Sequence, residues 1–201
     1  MFNIIRLVIG CAFLGFSIAA IHKLNAIHKR RWYTVFTCVT VAMITVLEFL
    51  PFENLFITFE SPQKVYDYYR FGGSRIELVV EGKDCDFVVD RNKDAYTYLI
   101  IPKTADGWKN GIGSNTKRIE YTISNGVTVA VYQYRDTDDY FLTVLDTNGG
   151  ETVISDDYGT EFFSLETRND LLRKTFVTYY AHIPEFYPQY TISINGNNVT
   201  L

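Results

Sequence analysis

The chain has 201 residues, 47% of them hydrophobic, 16% aromatic and 21% charged, with a formal net charge of −4. Residues 1–51 hold five Lys or Arg against one acid, and residues 52–201 hold fourteen against twenty-two, so +4 and −8 sum to −4. An acidic balance over the larger part excludes a basic nucleic-acid track, and three cysteines are too few for a disulfide scaffold.

In chain order the first elements are two apolar runs, residues 2–21 and 32–50, broken only by Arg6 and by Glu48. About 20 apolar residues cross a bilayer core as a helix, so both runs predict membrane spans if Arg6 snorkels to the interface. Trp32 and Tyr33 stand where an aromatic belt would meet headgroups. Between the runs, residues 22–31 carry Lys23, Lys29, Arg30 and Arg31 and no acid. Cytoplasmic loops hold the excess of Lys and Arg, which predicts this loop inside and both termini outside the cell membrane. Residues 1–51 are then a transmembrane hairpin and residues 52–201 an extracytoplasmic domain. "VIGC", ending at Cys11, comes too early for lipoprotein processing, and cleavage after "SIAA" would need a stronger charged region before it.

The domain of residues 52–201 reads mainly with period two. Residues 54–59, 76–80, 86–90, 96–101, 119–124, 127–134, 140–145, 152–155, 161–165, 174–180 and 190–194 predict strands, rich in Val, Ile, Thr, Tyr and Phe. Asn125-Gly126 and Asn195-Gly196 predict two-residue hairpin turns, and "RNKD" (91–94) and "TNGG" (147–150) further turns. The expected fold is an antiparallel meander forming a curved sheet, sandwich or partly open barrel. One helix interrupts it. Ser61 is its N-cap, Pro62 its first residue, and Val65, Tyr68 and Tyr69 its expected inner face. Residues 76–101 and 119–145 echo each other from a shared Ile-Glu opening, as two three-stranded meanders would.

The segment from Phe59 to Trp108 also resembles a group of small, uncharacterised membrane proteins of Gram-positive bacteria. The carrying motif is F-x-S-P-x-x-(A/V)-(F/Y)-x-Y-Y, matched by Phe59, Ser61, Pro62, Val65, Tyr66, Tyr68 and Tyr69, with Trp108 before a loop. The resemblance covers roughly residues 55–110, implies a bacterial cell surface and implies no activity.

Candidate chemistry is thin. Cys11 and Cys38 fall in the apolar runs, and Cys85 is the one cysteine beyond them. His22 and His28 lie in the basic loop, leaving His182, which on an aromatic strand reads as a packed residue. Asp90, Asn92 and Asp94 have the spacing of a calcium loop's first ligands, but Ala95 stands where its glycine belongs. Asp136, Asp138 and Asp139 form a second acidic cluster, and Asp146, Asn148 and Glu151 a third; hairpin tips use such residues anyway. Asn198-Val199-Thr200 is a glycosylation sequon, meaningful only in a eukaryotic secretory pathway. No catalytic, cofactor or metal residue is assigned. The expected function is a non-catalytic, membrane-anchored extracytoplasmic binding protein with a protein partner, whose chemistry the acidic excess would make basic. Alternatives are an immunity protein neutralising a secreted toxin and an envelope glycan hydrolase using paired carboxylates.

Overall fold

The computed structural model describes residues 2–23, 29–49, 52–69, 75–92, 95–111, 116–123, 126–148, 152–169, 174–184 and 190–201. Two helices come first, α1 (Phe2–Lys23) and α2 (Lys29–Phe49). They pack antiparallel: Gly10 lies against Ile44, and the Tyr33 hydroxyl meets His22 Nε2 at 2.9 Å. A Cβ on Gly10 would come within 2.7 Å of Ile44, so glycine permits the close approach. Ser17 and Thr40 are buried, and their hydroxyls donate to the carbonyls of Phe13 and Phe36 four residues back.

The expected transmembrane hairpin is overturned. Among the described residues no helix is long and apolar enough to cross a membrane. The uncharged stretch of α1 runs from Leu7 to Ile21, about 15 residues and so about 22 Å at the helical rise. That of α2 runs from Trp32 to Leu47, about 16 residues and about 24 Å, and includes four threonines. Both fall short of the roughly 30 Å hydrocarbon core. An orientation drawn from the basic loop presupposes two spans.

A 3-10 turn (Phe52–Leu55) follows where residues 54–59 were expected to form a strand. Polar pairing explains the difference. Asn54 exchanges hydrogen bonds with the Asn110 backbone at 2.7 and 2.8 Å, and Asn110 Nδ2 donates to buried Glu53 at 2.6 Å. The Lys109 ammonium donates to the carbonyls of Asn54 and Ile57 and to Thr58 Oγ1. Only Phe59 keeps strand-like pairing, with Trp108.

The short helix is α3 (Pro62–Tyr69). Ser61 caps it, with Lys64 N donating to Ser61 Oγ at 3.3 Å. Its buried face is Val65, Tyr66 and Tyr68, whereas Tyr69 is 37% exposed; Tyr66 replaces Tyr69 in the expected set. Tyr66 turns inward because its hydroxyl reaches the buried carboxylate of Asp90.

Three antiparallel sheets make up the rest. The first, in order β1-β2-β3-β4, comprises β1 (Ile76–Glu81), β2 (Cys85–Asn92), β3 (Ala95–Thr104) and β4 (Gly107–Trp108). The second is central: β5 (Thr116–Ile123), β6 (Val127–Tyr134), β7 (Tyr140–Asp146), β10 (Lys174–Ile183) and β9 (Phe163–Asn169), in that order. The third, β12-β11-β8, is built from β8 (Ile154–Asp156), β11 (Thr191–Ile194) and β12 (Asn197–Thr200). Both segments of the internal echo are three-stranded meanders, β1-β2-β3 and β5-β6-β7. A plain meander is not the whole topology, because β8 leaves the central sheet and β10 returns between β7 and β9.

Strand alternation stacks these layers. Phe87, Val89 and Ile100 pack toward Tyr132, Phe141 and Tyr180 of the central sheet. Val88 and Ile101 face the other way, onto Val65 of α3. A register shift between Ile76 and Leu78 in β1 sends those two residues to opposite faces, Ile76 toward α3 and Leu78 toward the central sheet. On its far face the central sheet buries Val129, Leu142, Val144 and Ile183 against Ile192 and Ile194. Fully burying each such aliphatic side chain contributes about 1.5–3 kcal/mol.

The turn predictions divide. Ile194 pairs with Asn197 across Asn195 (φ 52°) and Gly196 (φ 79°), a two-residue turn with left-handed backbone at both positions. Ile123 pairs with Val127, so the connection there is three residues rather than two; it ends at Gly126 (φ 79°), and Asn125 lies outside the described residues. The tips of "RNKD" and "TNGG", at Lys93, Asp94, Gly149 and Gly150, also lie outside them. Strands β4 and β12 had not been expected.

Candidate binding cleft

The paired registers put the residues that face the first sheet into rows across the central sheet. Arg118, Tyr132, Phe141 and His182 form one row. Ala130, Thr143, Tyr180 and Phe163 form the next, then Thr128, Leu145, Thr178 and Leu165, and finally Phe176 beside Thr167. The first sheet covers Phe141 and Phe163, and where its β2–β3 end stops a cleft of about 440 Å³ opens. Tyr96 and Tyr98 of β3 form its wall, and its floor alternates Thr hydroxyls with aromatic and aliphatic groups. This volume lies within the usual range of small-ligand sites.

Tyr98 is the exposed aromatic ring of this surface, at 47%. Its ring stacks on buried Phe87 (5.1 Å between centroids, 14° between planes) and meets Tyr132 at 4.7 Å. The ring is therefore held by two aromatic neighbours while staying half-exposed. The Tyr96 hydroxyl donates to the Glu166 carbonyl of β9 at 2.9 Å, tying the wall to the far edge of the floor. The Arg118 guanidinium lies 5.7 Å over the Tyr132 ring. Burial, then the Tyr98 phenol, pushes the Tyr132 hydroxyl above its ordinary range against the pull of Arg118. Burial likewise pushes Tyr180 up to about 12. Both phenols stay protonated near neutral pH and are donors. Among the described residues no carboxylate, histidine or cysteine lines the cleft.

The residues with catalytic potential gather at the other end of the central sheet. Asp139, 1% exposed, accepts from the backbone amides of Lys83 (2.8 Å), Asp84 (2.5 Å) and Cys85 (2.9 Å). It also meets His182 Nε2 at 2.9 Å and the Cys85 thiol at 3.6 Å. Burial alone would raise the Asp139 pKa; the Lys83 and Asp84 amides and His182 outweigh it and hold the carboxyl below its usual range. Burial, then Asp139, pushes the Cys85 thiol far up, so the reactive thiolate is disfavoured. Cysteine, histidine and aspartate meet here as a clamp on the β1–β2 turn, with the thiol fully buried. The turn is built for it: a Cβ on Gly82 would come within 2.9 Å of both Asp139 Oδ1 and Phe141.

The acidic clusters separate in space. Asp90 is buried beneath α3, bonded to Tyr66 and Thr97, while the Asn92 side chain and all of Asp94 lie outside the described residues. Asp136 and Asp138 are exposed, but Asp139 is buried in the clamp. Asp146 is buried, bonded to Thr152 and accepting from Asn148 N at 2.8 Å; Glu151 lies outside the described residues. Among the described residues no three His, Cys, Asp or Glu are placed to hold a metal ion.

The motif residues prove to be mortar. Phe59 and Trp108 exchange backbone hydrogen bonds at 2.9 Å, and Trp108 Nε1 donates to buried Asp86 at 2.6 Å. Lys103 Nζ pairs with Asp86 at 2.6 Å and donates to the Gly82 carbonyl. A second, open concavity of about 660 Å³ lies over Lys103 and Trp108, but both use their polar atoms on Asp86.

Sequence reading missed the cleft altogether. A signal was present: in "VTVAVYQY" the odd positions are Val127, Val129 and Val131, while the even ones are Thr128, Ala130 and Tyr132. A strand with one aliphatic face and one Thr/Tyr face has two different tasks. No protein-family model, no curated protein and no solved structure matches the chain.

Proposed function

We propose that this chain is a non-catalytic binding protein that receives its ligand in the Tyr/Thr cleft of the central sheet. The observation that carries the reading is Tyr98: a half-exposed aromatic ring, locked by Phe87 and Tyr132 at the mouth of a cleft lined by hydroxyls and one guanidinium. Preorganised aromatic surface lowers the ordering cost of binding, because little side-chain freedom remains to be lost. Among the described residues the lining holds no acid, imidazole or thiol, which supports binding over turnover, since general acid–base chemistry needs a titrating group within hydrogen-bond reach of the reacting atom. Sequestration of Cys85 and His182 on Asp139 supports the same reading.

The test is a ligand-observed NMR screen of the full chain against a chemically diverse fragment set. Wild-type protein is expected to bind fragments that Tyr98→Ala and Thr143→Val lose while keeping their folded dispersion. Fragments bound equally by wild type and both variants, or turnover of any of them, contradict the reading.

A further inference from the structure

The helical hairpin presents two unlike faces. At 3.6 residues per turn, Trp32, Val35, Val39 and Val46 fall within one sector of about 60° on α2, and each is about half-exposed. Antiparallel packing turns that stripe to the same side as Phe16 of α1, which is 76% exposed. Gly10 lies beside Ile44 and His22 beside Tyr33, so Phe16 is also level with Val39. The opposite side of α2 carries Thr34, Thr37 and Thr45, interleaved on the hairpin with Leu7, Ile18 and Val41. Exposed apolar surface on this scale marks an interaction site. Its occupant has to be apolar toward one side only, since the other side carries hydroxyls. Lipid surrounding the hairpin would meet both sides alike, and a hairpin lying flat among headgroups needs charge along its outer side. From Trp32 to Leu47 there is no charge.

A second copy of the chain meets the requirement, because the apolar face complements itself. A two-fold axis at the level of Val39 and Phe16 lays α2 antiparallel on its counterpart. Trp32, seven residues before Val39, then meets the partner's Val46, seven residues after it, so a bulky side chain faces a small one. The same arrangement keeps Lys23, Arg30 and Arg31 of the two copies at opposite ends, whereas a parallel pairing would stack like charges. The face runs along the 21 residues of α2, about 32 Å, and is two helices wide, about 20 Å. That is about 640 Å² in projection before side-chain relief, on the scale of the roughly 800 Å² per partner of a stable interface. We propose that the hairpin is a homodimerisation module. Two copies join face to face through Phe16, Trp32, Val35, Val39 and Val46 as an antiparallel four-helix bundle.

Sedimentation equilibrium of the full chain in detergent-free buffer tests the proposal. The expected mass is twice the 23.2 kDa of one chain. Val39→Glu, which sets two carboxylates against each other at the axis, is expected to raise the dissociation constant by about tenfold or more. Thr37→Glu, on the other side of α2, is expected to leave it within about twofold. A second readout does not need either charged variant to fold. In a Cys11→Ser, Cys38→Ser background, mild oxidation is expected to join Val39→Cys chains covalently and to leave Trp32→Cys chains single. Any mass other than that of two chains overturns the proposal. So do equal effects of Val39→Glu and Thr37→Glu, and so does cross-linking through Trp32→Cys in preference to Val39→Cys. A single-chain mass, with flotation on phosphatidylglycerol vesicles that Val39→Glu abolishes, assigns the face to lipid instead.

Discussion

The two faces of the central sheet are made by the same strands and do different work. Toward the third sheet, Val129, Leu142, Val144 and Ile183 are at most 1% exposed and make a closed aliphatic seam. Toward the first sheet, the alternate residues are Thr128, Thr143, Thr178, Tyr132 and Tyr180, and part of that face lines an open cleft. The seam fits a stability role, since aliphatic groups gain most from complete burial. Hydroxyls and phenols on the other face contribute less to burial and retain the ability to exchange water for a ligand. The difference separates a face given wholly to packing from one that shares packing with an open cleft.

Neighbouring substitutions probe this comparison from its strongest end. Leu142→Ala, on the closed face, is expected to cost about 2–5 kcal/mol by loss of transfer energy and a residual cavity. Chemical denaturation measures it. Were the loss under about 1 kcal/mol, the closed face would not be the structural one.

Asp139→Asn comes next, at an expected cost of about 2–3 kcal/mol near neutral pH, because one carboxylate there serves three amides and His182. The folded-state pKa of Asp139 lies below the ordinary aspartate value of 3.8. Its contribution is therefore fully present above that value and is lost as pH falls through the lower folded value. Denaturant midpoints of wild type and variant, followed downward from pH 6, should converge below about pH 4. A constant gap across that range would mean that the Asp139 charge adds nothing.

Tyr66→Phe removes the hydroxyl that reaches buried Asp90 and is expected to cost about 1–3 kcal/mol, read from the same denaturation curves. Smallest of all is Thr143→Ala, one residue from Leu142 but on the cleft face. Its expected cost is below about 1 kcal/mol. A loss matching that of Leu142→Ala would erase the distinction between the faces.

Much of the β architecture was legible because its signals are local. Period-two alternation located β1 to β3, β6, β7 and β10, and Asn195-Gly196 announced its turn through the left-handed backbone those residues tolerate. The failures arose where distant partners decide. Residues 54–59 are apolar enough for a strand, yet Asn110 and Lys109, more than fifty positions away, take up their polar groups. Tyr66 points inward only because Asp90 waits beneath it. The apolar runs of α1 and α2 form helices as expected, but their uncharged stretches are too short to span. His182 was read as packed; that its partner would be Asp139 could not be seen, because the two lie 43 positions apart. The cleft was invisible for the same reason, being assembled from β3, β5, β6, β7, β9 and β10.

The most direct test of the central claim is amide chemical-shift mapping of the isotopically labelled full chain, titrated with whichever fragment binds. The account predicts perturbations centred on Tyr98, Tyr132, Thr143 and Thr178, absent in Tyr98→Ala. Perturbations centred instead on the concavity at Lys103 and Trp108, or on the Asp139 clamp, would contradict it.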